Sequence, residues 1–516
     1  MTIADALQVA VTHHQAGRFE QAERIYRQIL EQAPRNADAM HLLGLLAHNA
    51  GRYELAASYM AQAITINPAA PFYHNNLGNT LQDLGRYSEA VLCYQQALRL
   101  DPDYVEAYSN LGSAYQQLGR HREALPCFEQ ALRRNPFHAE SYNNLGNTFS
   151  KLGYTEDAVR AYRQAIECRR DYPDAHSNLG GALVELGDFE AAFEHLQEAL
   201  RLEPANARAH WNRALLWLLL GDFARGWEEY EWRWHQPEVS PQRFPQPLWD
   251  GSPLDGRTLL LHAEQGLGDS IQFSRFVPLL GDRGGPIVVK CQDCLLPLLK
   301  TMPGTARWLS AGDETPPFDV HLPLMSLPRL LGVTVDSIPP PPPLQLEAAR
   351  VEYWRRRMES AVTGESVLRV GICWSGSPQY KNNARRSVPL ARLAPLGELS
   401  GLILFNLQRG PQAGELTQSP FGRRILDFEA ENQGLMDTAA VIANLDLVIT
   451  VDTMIAHLAA TLGKTVWTLL AFVPDWRWLL GRADTPWYPT MRLFRQSKPG
   501  DWEGVVQQVL ESLRHV

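Results

Sequence analysis

An α-helical solenoid followed by a two-lobed α/β domain is the fold this sequence predicts, and three observations predict it. Gly17, Gly51, Gly85, Gly119, Gly153, Gly187 and Gly221 recur every 34 residues, a period at which each unit is a helix pair that buries its apolar face only by stacking on its neighbours. After Trp234 the period stops, and the proline-rich stretch HQPEVSPQRFPQPLWDGSPLDG intervenes. From Arg257 onward, short β-branched or leucine-rich runs alternate with helical lengths, the pattern of parallel strands joined by crossover helices.

Within the repeats, Ala22, Ala56, Ala90, Ala124, Ala158 and Ala192 follow the turn glycines at one fixed distance, and Tyr26, Tyr94, Phe128, Tyr162 and Tyr230 follow at another. A small residue lets two helices approach, and the aromatic is expected to fill the gap to the next pair. Pro34, Pro68, Pro102, Pro136 and Pro204 close the units; the fifth carries Arg170 there with Pro173 shortly after, and the last has Gly226 at the small position. Period, turn glycine, small residue, aromatic and proline together resemble the tetratricopeptide repeat (TPR), so a TPR superhelix of about seven pairs is expected.

Asn76, Asn110, Asn144, Asn178 and Asn212 form a second series with the same period. Asparagine is a mediocre helix former, so propensity does not account for its return in five first helices. A carboxamide on the inner face offers a donor and an acceptor together, which matches a peptide backbone. The ladder resembles the one lining the superhelix of O-GlcNAc transferases, which implies a polypeptide acceptor held in the groove. The other reading is a solvated face whose asparagines bond only to neighbouring helices.

The chain has 516 residues, enough for two or three domains, with 45% hydrophobic and 20% charged residues. A net charge of -9 and no long basic stripe argue against nucleic acid as the main partner. No basic segment followed by an apolar run opens the sequence, and the longest apolar stretches fall far short of a membrane span. A cytoplasmic location is expected. Cys291 and Cys294 make a lone CxxC with no partner set for zinc, and Cys93 and Cys127 sit at equivalent repeat positions as packing residues.

Strands are expected at 258–262, 286–290, 320–322, 368–373, 402–407, 447–451 and 465–471. Pro339 to Pro343, five prolines in a row, form a stiff connector that no sheet accommodates internally. The expected boundaries are solenoid 1–236, junction 237–256, first lobe 257–338, connector 339–346 and second lobe 347–516.

In the first lobe the strand LLLHAE runs into QGLGDSIQF, where Gly266 and Gly268 frame a turn and Asp269 stands where a helix begins. Asp269 is either an N-cap or a carboxylate facing the interlobe cleft, able to take a proton from an attacking hydroxyl; Glu264 and His262 are the reserve candidates. In the second lobe DLVITVDTMIAHLAATLGK reads as a buried strand, then Asp452 and Thr453, then a helix bearing His457. Free amides and the positive dipole end at such a helix start favour a phosphate; the alternative is an Asp cap on a packed helix, as Asp437 and Thr438 in MDTAAVIA exemplify. Upstream, Trp374, Ser375 and Gly376 form a small-residue turn before Lys381, Arg385 and Arg386, whose charge suits a leaving diphosphate. Gln408 ends a further strand where it could read a base or phosphate edge. Trp476, Arg477, Trp478, Trp487 and Tyr488 are either cleft wall or core.

The Gly-Asp turn resembles the start of the catalytic domain of bacterial heptosyltransferases, and Asp452–Thr453 with His457 resembles their sugar-nucleotide signature, Met454 standing where that family has glycine. The whole resembles bacterial TPR glycosyltransferases with a GT-B-type domain. This implies inverting transfer of a hexosyl or N-acetylhexosaminyl group, with Asp269 as base and Gly268, Trp374, Ser375, Gly376, Arg385, Arg386, Gln408, Asp452, Thr453 and His457 around the donor. The donor implied is a nucleoside-diphosphate sugar, a UDP-sugar first, with no permanently bound cofactor and no metal. Two alternatives remain: a glycan, lipid-linked or small-molecule acceptor with the repeats docking a partner, and an inactive scaffold.

Overall fold

The computed structural model describes residues 2–236, 239, 242, 244–264, 266–362, 368–378 and 383–515, and they divide into two compact units, Met1–Ala209 and His210–Val516. Helix pairs run from Ile3–Gln15 with Phe19–Gln32 to Ala207–Leu219 with Phe223–Tyr230. Each turn glycine from Gly17 to Gly221 adopts a φ between 71° and 86°, the left-handed region that only glycine enters without penalty. The six periodic alanines have no exposed surface.

The periodic aromatics are buried, and three of them make a contact that the repeat pattern does not announce. A Cβ on Gly78 would lie 2.5 Å from the Tyr94 ring, and Gly112 with Phe128 and Gly146 with Tyr162 repeat the arrangement. Each of these rings fills a glycine notch in the first helix of its own pair, and Tyr94 and Phe128 also cluster with the next pair, with Leu111 and Ala114 and with Leu145. Tyr94 and Tyr162 then donate their hydroxyls to Asn79 Oδ1 at 2.7 Å and Asn147 Oδ1 at 2.9 Å. In the fifth unit Pro173 begins the Pro173–Leu186 helix, so that the repeat survives the shifted proline.

The unit division falls after Ala209, not at the end of the periodic sequence. Phe223, Trp227 and Tyr230 of the last pair interlock with Phe273, Trp476 and Trp487, and the Trp227 indole donates to Val333 O at 2.9 Å. The last pair is therefore part of the α/β unit's core.

The α/β unit holds two parallel sheets. The first has β1 (Leu259–His262), β2 (Ile287–Cys291), β3 (Arg307–Ser310) and β4 (Val320–Pro323) in the order β3-β2-β1-β4. The second has β5 (Leu368–Cys373), β6 (Leu402–Asn406), β7 (Leu447–Val451), β8 (Thr465–Leu470) and β9 (Met491–Arg495) in the order β6-β5-β7-β8-β9. The edge strands β3 and β9 are additions to the seven expected. The segment 339–347, with its five prolines, carries no regular structure. Among the described residues no helix is long and apolar enough to cross a membrane.

Candidate functional site

The site grows from the carboxyl ends of four strands, β1, β5, β7 and β8. Beyond β1, Glu264 is buried and bidentately paired with Arg233, at 2.8 and 3.0 Å, and accepts from Met325 N–H. Burial raises its pKa while Arg233 pulls it back. His262 lies within the lobe, 3.3 Å from His321 Nδ1, with burial lowering its pKa to about 4. Both reserve candidates thus have structural employment, one anchoring the loop and one packing the sheet. Asp269 is not the N-cap of its helix, Leu267–Phe273; Gly266 is. The carboxylate stands one turn in, where Oδ2 accepts from Gly266 N–H at 2.9 Å and Oδ1 from Arg477 Nη2 at 2.5 Å. Gly268, on the same turn, packs against Met454 and His457 of the facing helix.

Beyond β5, Trp374 leaves the expected donor site: it has no exposed surface, packs in the core of the second lobe, and its indole donates to Glu415. Ser375 and Gly376 continue the turn. Gln408 is fully employed there, its Oε1 accepting from Ser375 N–H at 2.8 Å and Trp374 N–H at 3.2 Å and its Nε2 donating to Arg409 O. Buried with both ends of its amide satisfied, it shapes the turn instead of reading a base. A Cβ on Gly376 would collide with the Arg386 guanidinium, so the glycine is what lets that cation lie against the turn. Arg385 is half-buried on the same short helix, Asn383–Arg386. Lys381 lies outside the described residues.

Beyond β7, the helix Met454–Thr461 is capped by Thr453, whose Oγ1 accepts from Ile455 N–H at 3.3 Å. Asp452 makes no cap, which leaves its half-buried carboxylate for other work; Asp437, by contrast, spends both oxygens on Arg350, Trp354 and Gln433 N–H. His457 is buried, bonded through Nδ1 to Tyr488 OH at 3.0 Å and stacked on Trp478. Burial, with Arg477 and Arg275 nearby, holds it well below the usual imidazole range, so it is neutral and packs the helix interface instead of meeting a phosphate as a cation. Trp476, Trp478, Trp487 and Tyr488 are all buried, which makes the aromatic run core.

The ends of β1, β5, β7 and β8 bring together Asp269, Arg386, Asp452, and Asp475 with Arg477. Burial raises Asp269, with Arg477 opposing and Asp475 adding to the shift. Burial and then Asp475 push Asp452 up to about 6, against the pull of Arg386. A carboxylate able to receive a proton beside fixed guanidinium charge is equipment for deprotonating a hydroxyl near an anionic leaving group. Sequence reasoning missed Asp475 and the bonds of Arg477; the one available signal was a charged pair inside the aromatic run PDWRW.

In the solenoid, the ladder amides bond between successive repeats. Asn76 Nδ2 meets His41 Nε2 at 3.0 Å, Asn110 Nδ2 donates to Asn75 and Asn79, Asn144 to Ser113 at 3.3 Å, and Asn178 to Asn143 at 2.9 Å. Asn178 Oδ1 also accepts from Arg208. Asn212, in the last pair, is half-buried. Part of the amide capacity of Asn76, Asn110, Asn144 and Asn178 is therefore spent within the solenoid.

Comparison with known proteins agrees with both halves. Tetratricopeptide-repeat profiles match residues 78–119 and 180–221, 103–171, and 10–71, and the profile of glycosyltransferase family 9 (heptosyltransferase) matches 432–478, which contains Asp452, Thr453, His457, Asp475 and Arg477. The class so defined is a TPR solenoid fused to a glycosyltransferase domain. Protein FlbA of Caulobacter vibrioides is 28% identical over 320 residues, 56% of this chain and 52% of FlbA, so the chain spans about half the length of that relative. Among solved structures, Pseudomonas aeruginosa pilF is 23% identical over 41% of this chain and 96% of its own, with a TM-score of 0.38. YrrB, described as a TPR protein with an unusual peptide-binding site, is 21% identical over 37% and 98%, with a TM-score of 0.31.

Proposed function

We propose that the chain is an inverting, metal-independent glycosyltransferase that moves a sugar from a nucleoside-diphosphate sugar to a hydroxyl of a polypeptide held by its TPR groove. The acceptor oxygen forms a bond to the anomeric carbon as its proton passes to Asp269. The bond from that carbon to the diphosphate breaks, and the nucleoside diphosphate leaves with the electron pair. The observation that carries this reading is the meeting of the Asp269 turn with the Asp452–Thr453 turn beside Arg386, at the carboxyl ends of parallel strands where such folds take their ligands. The family 9 match over the second turn supports a nucleotide sugar as donor. Fixed charge from Arg385 and Arg386 and the start of the Met454–Thr461 helix supply what a divalent ion would otherwise bring to the diphosphate.

The test is incubation with a panel of nucleotide sugars, following nucleoside-diphosphate release and mass gain on proteins of the native host, with and without exhaustive chelation. Mass gain that survives chelation is expected. Activity lost with chelator and restored by Mg²⁺ or Mn²⁺ would refute the metal-free site. A second reading has one observation in its favour: amides of the ladder bond neighbouring repeats, which suits a solenoid that docks a partner while a glycan, lipid-linked or small-molecule acceptor enters the α/β domain. Donor turnover without mass gain on any protein would favour it.

A further inference from the structure

We propose that Arg477 is the positioning residue for Asp269, reaching from the second lobe to orient the carboxylate and to supply the cation beside it; this rests on the reading of Asp269 as the base. A buried guanidinium needs partners, because an unpaired one carries a large desolvation penalty. Arg477, its side chain only 8% exposed, has two besides Asp269: Nη1 donates to Asp475 at 2.8 Å, and Nε to Gln272 Oε1 at 2.6 Å, on the helix that carries Asp269. It also lies 4.4 Å from the centroid of the Trp476 ring. Asp475, two residues away, would satisfy a purely structural arginine. The remaining bond goes to Asp269 Oδ1, 208 residues distant in sequence. With Gly266 N–H on Oδ2, it fixes both ends of the carboxylate and leaves each oxygen a lone pair for an incoming hydroxyl.

The charged and titratable groups around Asp269 come from every neighbouring element: Arg477 and Asp475 from one segment, Arg386 from the turn after β5, and Tyr230 from the last helix pair. Asp452 and His457 share Arg386 and Arg477 with it. Arg477 favours the ionised base and Asp475 disfavours it. Neutralising the two must therefore move the base in opposite directions, an outcome that a merely structural arginine does not produce.

The full-length protein is assayed for UDP release from UDP-glucose and UDP-N-acetylglucosamine across the pH range in which it stays folded. In parallel, the side-chain carboxyl of Asp269 is titrated by ¹³C NMR, assigned as the resonance missing from Asp269→Asn; this readout needs no substrate. Arg477→Met is expected to raise the acid limb of kcat/KM and the carboxyl titration by about one to three pH units. It should lower kcat more than it alters donor KM, and added guanidinium ion should restore part of the loss. Arg477→Lys should shift less, and Asp475→Asn should shift the other way. If Arg477→Met fails to fold, Asp475→Asn and Arg477→Lys decide. An unmoved Asp269 titration in folded variants at both positions overturns the positioning role. Parental turnover in Asp269→Asn overturns instead the underlying assignment of the base, which the two readouts keep distinct.

Discussion

The Cβ that Gly268 lacks would stand 2.9 Å from Cδ2 of His457 and 3.5 Å from Cα of Met454, so the helix carrying Asp269 seats the imidazole of the helix that begins after Asp452 and Thr453 directly against its backbone.

Gly268→Ala must separate the two helices or displace the imidazole, which its bond to Tyr488 and its stacking on Trp478 resist. The expected cost is about 1–3 kcal/mol, as for other overpacked cores, with a lower melting temperature and slower transfer. Thermal melting and single-turnover assays check this. A parental melting temperature and rate would mean that the helices part freely.

Asp452→Asn tests the electrostatics. Burial and Asp475 push the folded-state pKa of Asp452 up to about 6 from an ordinary 3.8. Its contribution to stability is thus fully present below the unfolded value and lost as pH rises through about 6. The variant does not ionise, so its stability relative to the parent should grow between about pH 4 and pH 7, by at most about 3 kcal/mol. Denaturant unfolding at the two pH values measures it, and a pH-independent difference would remove Asp452 from the low-dielectric site.

In the solenoid, two glycine series do different work, and substitution separates them. Gly85→Ala meets nothing within 4 Å but keeps a φ of 72°, a strain of about 1–2 kcal/mol. Gly78→Ala puts a methyl into the Tyr94 ring and should cost about 1–3 kcal/mol. Only the second loss should be partly relieved by Tyr94→Leu, since only it arises from that contact. Unfolding of the single and double variants supplies the cycle.

Replacing Asn110, Asn144 and Asn178 together by Ala should cost stability, because inter-repeat bonds worth about 0.5–1.5 kcal/mol each are lost and the better helix propensity of Ala returns only part of it. If the remaining amide valences also hold acceptor backbone, transfer to protein should fall by at least about tenfold while donor hydrolysis persists. Below the melting range, equal retention of both rates would assign the ladder to architecture alone.

The features legible in the sequence were those whose cause is local. A turn glycine announces itself by its period, and β7 by an unbroken apolar run. Strands β3 and β9 escaped because RWLS and MRLFR mix charge into edge positions that face solvent. The site was legible as two turns, Gly266 to Asp269 and Asp452 to Thr453, but not as a network. What Gln408, His457 and Arg477 do is decided by Ser375, Tyr488 and Asp269, which lie 33, 31 and 208 residues away, and no spacing rule reaches so far.

The allocation of Phe223, Trp227 and Arg233 to the α/β unit bears on how such a chain can change over generations. Upstream of Ala209, duplication or deletion of a whole 34-residue module preserves the contacts inside every surviving pair, glycine notch against ring, Met60 or Leu196, so array length is open to variation. The final pair has no such freedom: exchanging it and the Glu231–His235 turn that follows for a generic module would strip the aromatic filling beside Phe273 and Trp476 and leave Glu264 buried without Arg233. Drift in repeat number is therefore expected at the amino-terminal end, with the last pair inherited together with the domain it completes.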